Sequence, residues 1–271
     1  MFSYTNYEEV LVMKGAIIGD ISGSRYEFNN VKTFDFELID DKCFFTDDTV
    51  CTVAIMDFLM HAPELTDKFA TKYLQKWTRK YPGAGYGGRF RIWVHSDNPQ
   101  PYRSYGNGSA MRISPVAYFA KTEDELERLV HVVTDITHNH PEGIKGAMVT
   151  AKCIFKLLHG IDIKEVHNYA ISEYPEIARF DYNELVRTYY FNETCQNTVP
   201  QALYCFFVSN SFEECMHKTI FMGGDCDTSA AINGGLAEAK FGIPQYLIER
   251  GMSKLSKELA DVVIEFYNRC L

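Results

Sequence analysis

Two acidic runs near opposite ends of this 271-residue chain carry residue types that can hold a cation: Phe45-Thr46-Asp47-Asp48-Thr49 and Gly223-Gly224-Asp225-Cys226-Asp227-Thr228-Ser229-Ala230. Each joins two carboxylates to threonine hydroxyls, and the small residues around the second let backbone and ligand come close. If the fold brings the runs together, four carboxylates meet where little water remains, and unpaired buried charges of one sign cost several kcal/mol. A positive centre must then lie among them. An all-oxygen donor set favours hard divalent cations, Mg²⁺ first, then Mn²⁺ or Ca²⁺. The structural rival for Asp47 and Asp48 is a helix N-terminus, where the dipole favours acidic side chains.

Helices must position both runs. Residues 13–21 are small and apolar, the composition of a tightly packed buried helix that Ser22-Gly23-Ser24 ends. Residues 29–45 are mixed and loop-like, after which the Thr46-Asp47-Asp48-Thr49 run opens a buried helix to about residue 60. Another starts at Pro63 and runs to about Lys80. Residues 81–110 hold nine glycines or prolines, enough to predict a long loop, while their aromatic residues argue that the loop is ordered. From 122 to 137 the pattern is amphipathic, with a capping box at Thr122 and Glu125 and with Leu126, Leu129, Val130 and Val133 on one face. Pro141 begins the next helix, to about Leu158. Helical spacing recurs at 163–173, 183–191, 197–208, 212–220, 227–239 and 254–269, and alternating strands are absent. The expectation is an all-α single domain.

With 46% hydrophobic and 14% aromatic residues, the chain can bury one large core, so one domain over 13–271 is expected, preceded by an N-terminal extension at 1–12. A net charge of −9 argues against generic nucleic-acid binding, which needs a basic face to release counterions. The eight cysteines include no C-x-x-C pair and read as reduced, mostly buried thiols. The chain shows neither a signal peptide nor a span of about 20 apolar residues, so a cytoplasmic monomer without membrane contact is expected.

Five motifs occur in order: Gly19-Asp20 with Glu27; Thr46-Asp47-Asp48-Thr49; Gly106-Asn107-Gly108-Ser109-Ala110-Met111-Arg112; Thr137-His138 leading to Gly143; and Gly224-Asp225-Cys226-Asp227-Thr228. Together they resemble the ADP-ribosylglycohydrolase family, which includes the enzyme reactivating dinitrogenase reductase and the ADP-ribose-acceptor hydrolases. The resemblance spans residue 15 to about 243. It implies an all-helical fold of that family's type, a centre of two Mg²⁺ ions for which Mn²⁺ can substitute, and hydrolysis of an ADP-ribose glycosidic bond.

Carried over position by position, the resemblance implies that Thr46, Asp47 and Asp48 hold metal from one side and Asp225, Asp227 and Thr228 from the other. Glu27 matches an acidic position that contacts metal or water, which makes it the catalytic candidate beside Asp47 and Asp48; a solvated loop glutamate is the rival. Asp20 reads instead as a structural acceptor for backbone donors. Gly106, Asn107, Gly108 and Ser109 match a loop along the bound nucleotide, and a plain turn before a helix would look the same. His138, His140 and Gly143 lead into a helix N-terminus, whose free N–H groups suit a diphosphate. For the two histidines, stacking, capping and phosphate contact all remain open, whereas zinc lacks further ligands at the usual spacing. Tyr86, in Gly85-Tyr86-Gly87-Gly88, is expected over the adenine or the departing group, with core packing as its rival. Cys226 is a small buried filler.

The expected activity is Mg²⁺-dependent release of ADP-ribose from an acceptor: a protein side chain such as arginine or serine, a nucleobase or a small molecule. Acceptor choice belongs to the loops at 25–45 and 81–105, where the resemblance is thinnest. A non-catalytic ADP-ribose-binding or toxin-immunity protein is the main alternative. A two-metal phosphohydrolase and a helical protein with one structural Ca²⁺ rank below it.

Overall fold

The computed structural model describes residues 13–31 and 33–270, and the expected extension 1–12 lies outside them. Helices α1 (Gly15–Gly23), α2 (Asp47–His61) and α3 (Asp67–Lys80) come first, followed by the short α4 (Gly88–His95), α5 (Gly108–Met111) and α6 (Ser114–Phe119). Helices α7 (Glu123–Thr134), α8 (Pro141–Leu158) and α9 (Ile163–Glu173) lead to a 3-10 turn at Pro175–Arg179. The chain continues through α10 (Tyr182–Thr188), α11 (Cys195–Phe207), α12 (Phe212–Met222), α13 (Cys226–Phe241), α14 (Gln245–Ser253) and α15 (Lys257–Cys270). Among the described residues there is no β-strand, only an isolated antiparallel bridge between Gly106 and Thr194. The all-α expectation holds.

Helix α13 forms the centre and is buried from Cys226 to Glu238. Its small residues let α1 lie directly on it. Gly15, Gly19 and Gly23 fall on one face of α1. A Cβ on Gly19 would stand 1.9 Å from the Ala230 carbonyl oxygen, and one on Gly15 2.1 Å from that of Gly234. A Cβ on Gly23 would meet the Asp227 backbone at 2.4 Å. Nothing larger than hydrogen fits. The pairing of Gly15 with Gly234 and of Gly23 with Asp227 makes the two helices antiparallel. At the far end the buried Glu238 Oε2 accepts from the backbone N–H groups of Lys14 (2.9 Å) and Gly15 (2.7 Å), satisfying α1's first donors. This crossing brings the end of α1 against the start of α13.

Half of the expected capping box is present: Thr122 Oγ1 accepts from Glu125 N–H at 3.2 Å, while the Glu125 carboxylate reaches one residue beyond the cap, to Lys121 N–H at 2.9 Å. Leu126, Leu129, Val130 and Val133 are buried, as their spacing predicts. The expected loop over 81–110 is corrected by α4, which turns Phe90, Trp93 and Val94 inward. That helical spacing is hidden by the glycines on its N-terminal side. Helices α6 and α14 are too short to show a period by themselves, and the helix expected from Pro63 begins at Asp67 instead. Seven cysteines are buried and unpaired. Among the described residues no helix is long and apolar enough to cross a membrane.

Candidate active site

Thr46 caps α2, its hydroxyl accepting from Asp48 N–H at 3.3 Å, a contact worth about 1 kcal/mol in a typical helix. The cap is bound to α1. Asp20 accepts from the Thr46 N–H (3.0 Å), the Thr46 hydroxyl (2.7 Å), the Thr49 N–H (3.0 Å) and the Thr49 hydroxyl. Its expected structural role is therefore seen in the geometry. Fixing the N-terminus of α2 on α1 fixes Asp47 and Asp48, whose side chains leave the first turn beside Asp20.

The second acidic run begins α13. Gly223 and Gly224 adopt positive φ angles of 88° and 71°, a turn that glycine alone makes without strain. Asp225 follows, with its Oδ2 accepting from Asn107 Nδ2 at 2.7 Å. The Thr228 hydroxyl donates to Asp48 Oδ2 at 3.3 Å, joining the starts of α2 and α13 directly.

Carboxylate oxygens converge in two groups whose atoms lie within 4.8 Å of one another: Asp20, Asp48 and Asp227, and Glu27, Asp225 and Asp227. Asp227 belongs to both. Burial pushes Asp20 up to about 6 despite its threonine bonds. Burial and then Asp225 and Asp20 push Glu27 up to about 7, and burial with Asp20 and Asp225 takes Asp47 to about 8. Asp48 and Asp227 are held well above the usual carboxylate range, first by burial and then by neighbouring carboxylates, and Asp225 is also raised by burial. Asp48 Oδ1 is buried without a hydrogen-bond partner. An orphaned carboxylate oxygen among all-oxygen donors is the arrangement a hard cation completes, so the residues fit a metal centre.

These groups open into a cleft of about 430 Å³, lined among others by Glu27, Asp47, Asp48, Asn107, Gly108, His138, Asp225, Asp227 and Thr228. The expected residues separate here. His138 Nδ1 lies 2.7 Å from the Thr137 hydroxyl, and burial, with Arg112 second, keeps its imidazole well below the usual range and hence neutral. Asn107 lines the cleft, but its amide is committed to Asp225 and, at 3.2 Å, to the Thr198 hydroxyl. Four residues expected on the ligand are absent from the lining. Tyr86 is buried in the core against Phe90 at 5.7 Å between ring centroids, the packing rival. Ser109 is fully buried and donates to the Gly143 carbonyl at 2.7 Å. Gly143 makes room for the Ser104 carbonyl oxygen, which a Cβ would meet at 2.6 Å. His140 caps α8, its Nδ1 accepting from Glu142 N–H at 3.1 Å. Thr46 likewise spends its hydroxyl on Asp20 and Asp48.

Arg112, the last residue of the Gly106 motif, also lines the cleft, whereas Tyr102, Ser104, Tyr105 and Glu193 gave no separate signal in the sequence. Ser104 and Tyr105 adjoin the Gly106 motif, so extending it two residues upstream would have found them. Glu193 could not have been found that way. It reaches the cleft because Asn107 N–H donates to its carbonyl at 2.8 Å, across the bridge at Gly106.

The family model for ADP-ribosylglycohydrolase matches residues 11–270. The chain is 24% identical to ADP-ribosylhydrolase ARH3 of Mus musculus over 86% of its own length and 83% of that protein. It is 30% identical to the ADP-ribosyl-[dinitrogen reductase] glycohydrolase of Rhodospirillum rubrum over 51% of its length and 47% of the relative. Among solved structures, an ADP-ribosylglycohydrolase-related protein complex shares the fold with a TM-score of 0.71 and 21% identity, covering 97% of this chain and 98% of the other. With the helices, the paired carboxylate groups and a match across nearly its full length, this chain belongs to the ADP-ribosylglycohydrolase family.

Proposed function

We propose that the protein is a Mg²⁺-dependent hydrolase of the glycosidic bond between ADP-ribose and an acceptor. One observation carries the reading: two carboxylate groups share Asp227, include an orphaned Asp48 oxygen and open onto the cleft. Asp47, Asp48, Asp225 and Asp227 would hold two Mg²⁺ ions, with Mn²⁺ as substitute and with Thr46 and Thr228 fixing the carboxylates. Bound there, the ions would supply charge that orients the ribose hydroxyls and lowers the pKa of a water.

The chain's own residues account for the rest. Glu27, at the edge of the second group, accepts the proton that the attacking water sheds. Carboxylates around the anomeric carbon stabilise the oxocarbenium-like charge that develops as the acceptor leaves. Arg112 Nη2 donates to the Thr137 hydroxyl at 2.8 Å, which lets that hydroxyl donate onward to His138 Nδ1. His138 Nε2 then keeps the ring proton and points it at Gly106 and Gly108, where a phosphate or ribose oxygen can accept. Asn107 acts through Asp225, holding its orientation.

The test is release of free ADP-ribose, with Mg²⁺ present, from substrates carrying arginine, serine, nucleobase and small-molecule linkages. Asp47→Asn or Asp227→Asn should lower the rate at least about 100-fold. Tight ADP-ribose binding without release from any linkage would assign a binding protein instead.

A further inference from the structure

Two phenylalanines from distant parts of the chain stand exposed beside the cleft. Phe28 is 84% and Phe191 39% exposed, yet their rings stack at 5.7 Å between centroids with 30° between planes. Tyr190, 72% exposed, precedes Phe191 in sequence. The residue before Phe28 is Glu27 and the second after Phe191 is Glu193, and both glutamates line the cleft. The stacked pair is therefore continuous with the wall of the site.

The backbone under these rings is fixed. Tyr189 Oη donates to the Asn197 carbonyl at 2.7 Å, the Thr198 hydroxyl donates to the Asn192 carbonyl at 3.0 Å, and Asn107 N–H holds Glu193. On the other side Asn30 Nδ2 donates to the carbonyls of Tyr26 (2.8 Å) and Glu27 (3.3 Å). Exposed aromatic rings on anchored backbone offer contact area with little ordering entropy to lose on binding. Glu193 is exposed and stands outside both metal-ligand groups.

We propose that Phe28, Tyr190, Phe191 and Glu193 form a docking surface for the polypeptide that carries the ADP-ribosyl group, one with basic residues flanking the modified position. The inference rests on the glycohydrolase reading of the cleft and goes beyond it by assigning a surface outside the metal-ligand groups to the residues that flank the modified position. The rings pack on the segment's backbone and side-chain stems, and Glu193 pairs with a flanking lysine or arginine, as the chain's overall charge of −9 favours. The exposed Glu193 carboxylate at the edge of the cleft disfavours a polyphosphate acceptor.

The probes are a short ADP-ribosylated peptide flanked by lysines, its glutamate-flanked twin, an ADP-ribosylated oligonucleotide and the free ADP-ribosylated amino acid. Initial rates are read for the wild type, and fluorescence anisotropy for Glu27→Gln, so binding is scored even without turnover. The lysine-flanked peptide should exceed the free amino acid and the glutamate-flanked twin by about 10- to 100-fold in kcat/KM or affinity. Phe28→Ala/Phe191→Ala should erase the first advantage while its inhibition by free ADP-ribose stays the same and circular dichroism confirms folding, and Glu193→Lys should reverse the second. Equal handling of peptide and amino acid, or preference for the oligonucleotide, overturns the docking proposal and leaves the hydrolase reading intact. No release from any probe, with the peptide preference still present in anisotropy, overturns the hydrolase reading alone.

Discussion

Asn30 and Gly224, separated by most of the chain, are joined as two strands would be: Gly224 N–H donates to Asn30 Oδ1 at 3.0 Å, and Asn30 Nδ2 donates to the Gly224 carbonyl at 3.1 Å. The same amide holds the carbonyls of Tyr26 and Glu27. One side chain thus sets the distance between Glu27 and Asp225. Asn30→Ala is expected to fold, to lose about 1–3 kcal/mol of stability, and to weaken Mg²⁺ binding about 10- to 100-fold. Metal titrations followed by thermal shift measure both, and wild-type metal affinity in the variant would refute the positioning role.

The α1–α13 crossing has no room to adjust, because the atom opposite Gly19 is backbone. Gly19→Ala should cost at least about 3 kcal/mol or leave the protein insoluble, since overpacking against main chain forces the helices apart. Gly83, with open space around an added Cβ, is the control, and Gly83→Ala should stay within about 0.5 kcal/mol of wild type in urea denaturation.

Stability without metal should fall as pH rises. Asp20, Glu27 and Asp47 bind protons more readily folded than unfolded, with carboxyls at about 6, 7 and 8 against ordinary values near 4. The stability they contribute is complete below the ordinary range and is lost as pH climbs through the folded values. EDTA-treated protein should therefore melt at a higher temperature near about pH 5.5 than near about pH 8. Excess Mg²⁺ should shrink or reverse that difference, because a ligand bound only by the folded form stabilises it. A flat profile in EDTA would count against the cluster being strained by its own charge.

Asp48→Asn separates stability from metal binding. Removing a buried ionisable carboxyl from the cluster should raise the melting temperature of the metal-free protein near about pH 8, while the gain on adding Mg²⁺ disappears. Differential scanning calorimetry in EDTA and in Mg²⁺ reads both, and a variant that still gains from Mg²⁺ would exclude Asp48 as a ligand.

What the sequence by itself determined is local. Helical spacing in α7 and α8, the Thr122 cap on Glu125 N–H, and the two acidic runs with their threonines follow from residues within a few positions of one another. Family motifs added the expectation that the acidic runs meet. The tertiary structure decided which side chains face the cleft. Ser109, Gly143 and Tyr86 sit in motifs that look ligand-facing, but they turn inward because α5 packs on α8 and α4 covers Tyr86. Asp20 enters the cluster because α1 lies backbone to backbone on α13. Glu193 and Asn30 gain their roles from hydrogen bonds to Asn107 and Gly224. Such contacts join residues far apart in the chain, and no local spacing encodes them, since which faces meet depends on how all the helices pack at once.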